Sequence, residues 1–412
     1  ANPLLVSQTP LHVVQQENFR RTNSEHVEET VSAAYFQAEA AFFNNRLKVL
    51  TGIRFEATTD KGEGSLLDRD AVFLRNANGT FARDAEGQRI RRPDVPAAGS
   101  LEELDVILKE RAAKANRAYS GYYPSLHLTY NFRENFQIRA AYAKTYGRPN
   151  FTDIIPRAVI SEANLNDEQL LDPNVVKGSI TVRNTSLRPW TSDNIDLSLE
   201  YYTQQGGVLS AGVFNKEIKN FFGTSVKLAT LADLAEVGID EPRYVGWNLS
   251  TKFNAGDARI TGVEVNIRQS LRELGPWVKP FTVFANATKL RMEGNRLADF
   301  TSFIPWSGNW GGTFERKKVV VTARWNYRGK DFRSFQPAFG PDGRDWFKAR
   351  TSLDLSLGYQ FTPRLSLVTS INNVFNVPQV RLRYSPETPV YARQSQTQEY
   401  GVNFGVGLRG TF

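Results

Sequence analysis

Short and long connectors alternate along this 412-residue chain, and that ordering constrains its fold more than any other feature. Thirteen segments with period-2 alternation of apolar and polar residues are predicted as strands: 30–43, 46–59, 122–132, 136–146, 193–203, 207–221, 258–271, 280–292, 304–314, 318–328, 350–361, 365–375 and 399–412. Only tight turns fit at 44–45, 133–135, 204–206, 315–317 and 362–364, and 272–279 is intermediate. The other connectors, 60–121, 147–192, 222–257, 293–303, 329–349 and 376–398, are loops. Turns on one side and loops on the other are the habit of barrels that cross a membrane, whose strands need roughly 9–11 residues to span it at a tilt. A β-sandwich, the alternative for such strands, has no reason to sort its connectors this way.

The alternation itself is clean. In the last predicted strand Tyr400, Val402, Phe404, Val406, Leu408, Gly410 and Phe412 share one face, against Gly401, Asn403, Gly405, Gly407, Arg409 and Thr411. Leu353, Leu355, Leu357, Tyr359 and Phe361 oppose Ser352, Asp354, Ser356, Gly358 and Gln360 in the same way. Mean hydropathy is −0.41 and no run approaches the roughly 18 apolar residues of a membrane helix, but alternating strands average toward zero and escape that test. Composition agrees: 27 Phe, 15 Tyr, 7 Trp and 30 Gly stand against no Cys and one Met, which excludes disulfides and thiolate metal sites. Two short helices are expected in loops, one capped by Ser100 with Leu101, Leu104, Leu108 and Ala112 on a face, the other capped by Thr230 and Asp233 and stopping at Gly238.

The run RAAYAKTYGRPNF at 139–151, LRPWTSDN at 187–194, ITGVE at 260–264 and INNVFN at 371–376 resemble the TonB-dependent outer-membrane receptors, in their large proteobacterial branch. The resemblance implies an all-β transmembrane antiparallel barrel of about 22 strands around an N-terminal plug. About thirteen strands are read here, with no plug and no TonB box. The expected layout is therefore the tail of an extracellular loop at 1–28 and the C-terminal part of a barrel at 29–412. The N-terminus, Ala1-Asn2-Pro3, shows no secretory signal, so the signal has been cleaved or the chain begins inside a longer one. The implied partners are an N-terminal plug and barrel segment, in the same precursor or as a separate chain, the TonB complex acting through that segment, outer-membrane lipid and lipopolysaccharide, and a surface lipoprotein. The implied activity is active transport of a scarce nutrient, glycan-derived first and ferric siderophore next; a passive porin-like channel or structural barrel is the alternative. The implied location is the bacterial outer membrane, with loops outside and the C-terminus in the periplasm.

The net charge of +8 comes from scattered basic residues, which speaks against a nucleic-acid partner. His12, His26 and His127 have neither metal-ligand spacing nor a nucleophile partner, so no enzyme, cofactor or metal is expected. Parity turns Arg54, Glu56, Arg139, Asp196, Glu200, Glu264, Arg268, Arg324, Arg328, Asp354 and Arg409 toward the lumen and plug. It turns Tyr142, Tyr146, Tyr201, Trp306, Trp310, Trp325, Tyr327 and Tyr359 outward, where interface girdles need amphipathic rings. Trp190, Trp247, Phe335, Trp346 and Tyr391, in or beside exterior loops, are the candidates for substrate stacking, with packing inside the loops as the alternative. Tyr400, Phe404, Leu408 and Phe412 are expected to form the assembly signal of the terminal strand.

Overall fold

The computed structural model describes residues 9–411 apart from 68, 75–81, 86–87, 156, 164–171, 173–174, 185–186, 205, 237–241, 296–297, 337–338 and 341. Thirteen strands follow one another in a single antiparallel path. In chain-order numbering they are β1 (His26–Phe42), β2 (Leu47–Leu67), β3 (Leu108–Arg133), β4 (Phe136–Gly147), β7 (Trp190–Tyr202), β8 (Val208–Leu228), β9 (Asn248–Ser270), β10 (Phe281–Gly294), β11 (Trp306–Arg316), β12 (Val319–Arg328), β15 (Arg350–Thr362), β16 (Leu365–Asn372) and β19 (Asn403–Gly410). These are the thirteen strands expected from the alternation. Among the described residues β1 pairs only with β2 and β19 only with β16, so the path has two free edges.

Turn chemistry fixes the short ends. Between β1 and β2, Phe43, Asn44 and Asn45 have φ of 53°, 53° and 65°, a left-handed run that suits Asn. Phe42 then faces Leu47, and the register runs unbroken to His26 opposite Glu63.

At the loop end several strands outrun the alternation. β3 starts fourteen residues before the expected Tyr122, and β9 starts at Asn248 where Ala258 was expected. Once two strands are paired, main-chain hydrogen bonds carry the ladder onward without needing a buried face, so hydropathy fades before pairing does. At the other extreme β19 is shorter than expected: Tyr400 precedes it, with its hydroxyl donating to Gln398 at 2.8 Å, and Phe412 lies outside the described residues.

Six strands were not foreseen, all in loops. β5 (Ala158–Glu162) and β6 (Gly178–Val182) form a hairpin, and β6 adds in parallel to the start of β9. β13 (Asp331–Phe335), β14 (Arg344–Phe347), β17 (Gln379–Tyr384) and β18 (Gln394–Gln398) form a separate four-stranded sheet. Helix α1 (Pro10–Thr22) precedes β1, and α2 (Leu101–Ile107) is capped by the Ser100 hydroxyl, which accepts from Glu103 N–H at 3.0 Å. The expected helical run to Ala112 ends early, because Leu108 already belongs to β3. The Thr230–Asp233 cap is present, the Thr230 hydroxyl accepting from Asp233 N–H at 3.3 Å; the predicted stop at Gly238 lies outside the described residues.

Directly opposed residues share a face, so register can be followed from strand to strand. Arg54 and Glu56 stand with Tyr123 and Gly121; Arg139 with Thr129 and Ser198; Glu264 with Gly212 and Thr288; Arg324 with Gly311 and Asp354; Arg409 with Ser366. That face is polar across the path. The opposite face is apolar and uncovered: Phe36, Tyr122, Ile195, Val213, Phe404 and Val406 are 50–75% exposed. A sandwich would bury them beneath a second sheet. Among the described residues two buried apolar clusters form, one in the loops around Ile180, Leu234, Tyr244, Trp247 and Leu249, the other where β8 and β9 meet the following connector, around Ile218, Phe221, Ala258, Ile260 and Ala298.

Candidate functional site

Two constructions stand at the loop end of the sheet. The first is a charged network on the polar face of β1 to β4. Arg148, just past β4, donates to Glu29 of β1 at 2.8 Å, to Glu56 of β2, and to the Tyr146 hydroxyl at 2.6 Å. Arg54 pairs with Glu56 at 2.6 Å, and Arg117 with Asp60 at 3.1 Å. Glu56 and Asp60 are buried by these partners, although β2 lies next to the edge strand β1. Charge-assisted hydrogen bonds of this kind hold strand tops in a fixed relation. Gly147 lets the Trp190 ring pack close here: a Cβ on it would lie 2.2 Å from that ring.

This network corrects one outward assignment. Tyr146 stacks on Tyr123 with ring centroids 4.5 Å apart, and Tyr123 shares the face of Arg54. Tyr146 lies past the last β3–β4 pair, Ser125 opposite Ala143, while the ladder of β4 with β7 runs on to Gly147 opposite Trp190, so its ring is free to reach across to Tyr123 on the side that β3 has left. Beside the network β4 stops while β3 continues, leaving a cavity of about 740 Å³ lined by Lys114, Arg117, Tyr119, Tyr123, Arg188 and Asn220.

The second construction is the loop sheet. Its hairpins come from two different connectors and meet where β14 pairs with β17, from Arg344 opposite Tyr384 to Phe347 opposite Arg381. Asp345, with no exposed surface, accepts from Arg381, from Arg383 Nε at 2.8 Å and from Gln336 at 3.0 Å. Burial pushes its carboxyl up, but the Arg383 and Arg381 guanidinium groups outweigh that and hold it below the ordinary aspartate value. Asp331, also without exposed surface, pairs with Arg328 at 3.1 Å and Arg333 at 3.6 Å. The opposite face of this sheet is aromatic and cationic. Lys330 Nζ sits 4.2 Å from the Trp346 ring centre and 4.8 Å from that of Tyr384, whose hydroxyl it also reaches. Arg393 lies over Tyr384 at 4.6 Å, and Arg344 over Phe335 at 5.5 Å.

All eleven residues predicted to face the lumen fall on the one polar face. Their local roles differ. Arg139 pairs with Glu200 at 3.1 Å across β4 and β7, and Asp354 accepts from Asn326 at 2.8 Å and from Asn373 N–H at 2.9 Å. Asp354 thereby anchors the INNVFN segment, where Asn373 and Asn376 have φ of 56° and 46° and Phe375 stacks on Trp325. The loop aromatics divide. Trp247 is 5% exposed and packs edge-on to Tyr244, so its ring is taken up inside the loop; Trp190 is half-buried against Gly147. Phe335 and Trp346 belong to the loop sheet, and Tyr391 is 90% exposed. Sequence reasoning missed Lys330, Arg344, Asp345, Arg381 and Arg383, which sit in segments without sustained periodicity, and Arg148, whose only signal was its place in the RAAYAKTYGRPNF run.

A thirteen-strand path with one polar face, one uncovered apolar face and loops gathered at one end is the wall of a membrane barrel. The model of the TonB dependent receptor-like β-barrel matches residues 5–374. The chain belongs to the TonB-dependent receptor family. Solved structures agree in fold. The ferric-catecholate import receptor of E. coli K12 matches with TM-score 0.56 and 12% identity, over 94% of this chain and 45% of that one. A copper transporter, OprC, gives 0.58 and 13%, over 94% and 49%. The ferric enterobactin receptor of Pseudomonas aeruginosa, solved with enterobactin, gives 0.53 and 14%, over 94% and 55%. No curated protein matches in sequence. The chain thus spans about half the length of the receptors it resembles. TonB-dependent receptors are transport proteins of the outer membrane that work with a plug and with TonB.

Proposed function

We propose that this chain forms part of the barrel wall and the exterior loops of an active transporter, with its polar face turned to a plug and its apolar face to lipid. The observation that supports this most is the single polar face carrying Arg54, Glu56, Arg139, Asp196, Glu200, Glu264, Arg268, Arg324, Arg328, Asp354 and Arg409. Charges of both signs there offer a plug hydrogen bonds and ion pairs around the wall. The uncovered apolar face has a physical reason in the same reading, because lipid covers it. On this reading the loops face outward and the turns face the periplasm.

The cargo is a scarce nutrient too large for passive entry, glycan-derived or a ferric siderophore. Copper held directly by side chains fits this part of the protein poorly, since it offers one Met, no Cys and three separated His. Uptake of cargo by cells carrying the full-length receptor should stop when TonB is deleted or the proton gradient is collapsed, and the purified receptor should conduct few ions in a planar bilayer. Uptake that continues without TonB, together with steady conductance, would instead establish the passive channel.

A further inference from the structure

Register lets the apolar face be read in rows across β4 and β7 to β10. Phe136, Tyr201, Leu209, Ile267 and Ala285 make a row near the turns; Ala140, Leu197, Val213 and Val263, with Lys289 at its border, make a higher one. Above them the character changes abruptly. Tyr142, Ile195, Asn215, Thr261 and Arg291 come next, and then Lys144, Asp193, Glu217, Arg259 and Glu293, a row charged at every position. Eight residues along each strand separate the Tyr201 row from the Arg259 row. At about 3.4 Å per residue and a tilt of about 40°, that is roughly 20 Å along the membrane normal, against roughly 25 Å for the apolar band of a barrel. The charged row therefore stands where the hydrocarbon ends on the loop side, with Tyr142 just beneath it as an interface ring.

The open cations are confined to this sector. On β11, β12 and β15, Trp310 with Trp325 and Leu353, and Gly308 with Tyr327 and Thr351, form uncharged rows at the same end. On β2 and β3 the outward Lys61 and Lys114 are paired with Glu28 at 3.9 Å and Glu63 at 3.5 Å. Lys144, Lys219 and Arg259, by contrast, take part in no salt bridge among the described residues, and Arg259 gives only its Nε, to Asn215 at 2.7 Å. Lys289 rests 5.2 Å from the Trp306 ring centre, which steadies its charge without cancelling it. Two of the acids are already held, Asp193 by the Tyr142 hydroxyl at 2.8 Å and Glu293 by Arg291 at 2.6 Å. A cleft of about 290 Å³ opens here, lined by Glu217, Lys219, Asp257, Arg259 and Glu293.

We infer that this sector is a discrete binding site for an outer-leaflet lipid whose headgroup carries two phosphates. Its acyl chains lie along the rows of Val213 and Val263, one phosphate meets Arg259, Lys219 and Lys289, and the other meets Lys144. Lys144 stands three strands from Arg259, about 14 Å at the usual strand spacing, a separation that suits the phosphorylated disaccharide of lipid A. Inorganic phosphate shares the charge but not the chains, and cations set directly above uncovered apolar rows favour the lipid. The site rests on the reading above that the apolar face meets lipid and the loops face outward.

The test is native mass spectrometry of the full-length receptor purified in detergent, with magnesium present for the cleft carboxylates to share with phosphate. The probes are bisphosphorylated lipid A, its monophosphoryl form and phosphatidylethanolamine. Bisphosphorylated lipid A should bind saturably and resist millimolar inorganic phosphate, and loss of one phosphate should weaken it about tenfold. Arg259→Gln combined with Lys289→Gln should weaken it about tenfold or more, while Arg259→Lys and the distant Lys61→Gln keep most binding. Equal binding of phosphatidylethanolamine, displacement by inorganic phosphate, or affinity unchanged in the double variant would overturn the site. An equal loss in Lys61→Gln would reduce it to a uniform girdle and overturn it too. Lipid A held through these residues by a receptor whose uptake ignores TonB would sink the transport reading alone. TonB-dependent uptake with lipid binding indifferent to the double variant would sink the site alone.

Discussion

Asp345 has no exposed surface and accepts from four side chains, those of Ser334, Gln336, Arg381 and Arg383, and among the described residues it holds the only salt bridges between the two hairpins. Asp345→Asn would leave two arginines without their carboxylate. The local cost should be about 2–3 kcal/mol, since both guanidinium groups are partly in water and a fully buried pair would cost more. Limited proteolysis between β13 and β18 should accelerate accordingly; unchanged cleavage would show that β14 and β17 hold without the ion pairs. The pH dependence has a definite sign. The folded carboxyl titrates below its ordinary value, so its contribution is complete above the ordinary aspartate range near 3.9 and is lost as pH falls through the lowered folded value. Cleavage at pH 7 and at pH 5 should therefore match, with loosening only in stronger acid.

At the scale of elements, the sheet sorts its connectors by length: the tight turns 43–46, 134–135, 317–318 and 363–364 and the intermediate 271–280 close one end, and the long connectors leave from the other. The chain has no Cys, so single introduced thiols can be read without background. Cys at Glu387, exposed in the connector between β16 and β19, should react with an impermeant maleimide on intact cells. Cys at Asn45 or Lys317 should stay unlabelled until the outer membrane is opened. Labelling of the turns on intact cells would invert the orientation. The extended β2, β3, β8 and β9, of 21, 26, 21 and 23 residues, are about twice what a bilayer needs, so their loop-end halves extend beyond lipid. They explain how two small loop cores can be held above the membrane plane.

For the whole molecule, the two free edges matter most. An unpaired strand edge in lipid leaves each backbone group unsatisfied at several kcal/mol, so β1 and β19 require neighbours. We propose that these come from further strands of the same receptor. Next to that edge, Phe404, Val406 and Leu408 are 70–75% exposed on the apolar face, continuing the side on which parity puts Phe412. An aromatic ring on the apolar side of an edge strand suits capture by strand addition, to which burial of the ring adds roughly 1.5–3 kcal/mol. Phe412→Ala should lower the amount of barrel in the outer membrane while uptake per inserted molecule stays nearly constant. Normal abundance with lost uptake would place Phe412 in transport instead.

Sequence alone determined the thirteen strands, the sorting of turns from loops and the face of each charged residue within them. A period of two is a local property, legible wherever a strand has one side in lipid and one in a polar interior. It also carried the family, through short runs such as INNVFN whose residues answer to backbone demands, left-handed φ at Asn373 and Asn376. Only the tertiary structure decided what the loops build. Asp345 meets Arg381 and Arg383 across more than thirty residues and from a different hairpin, and Lys330 reaches Tyr384 in the same way while resting on Trp346 of its own hairpin. Nothing periodic marks such contacts. Trp247 and Trp346 look alike in sequence, and three-dimensional packing alone buries one and leaves the other on the cationic face.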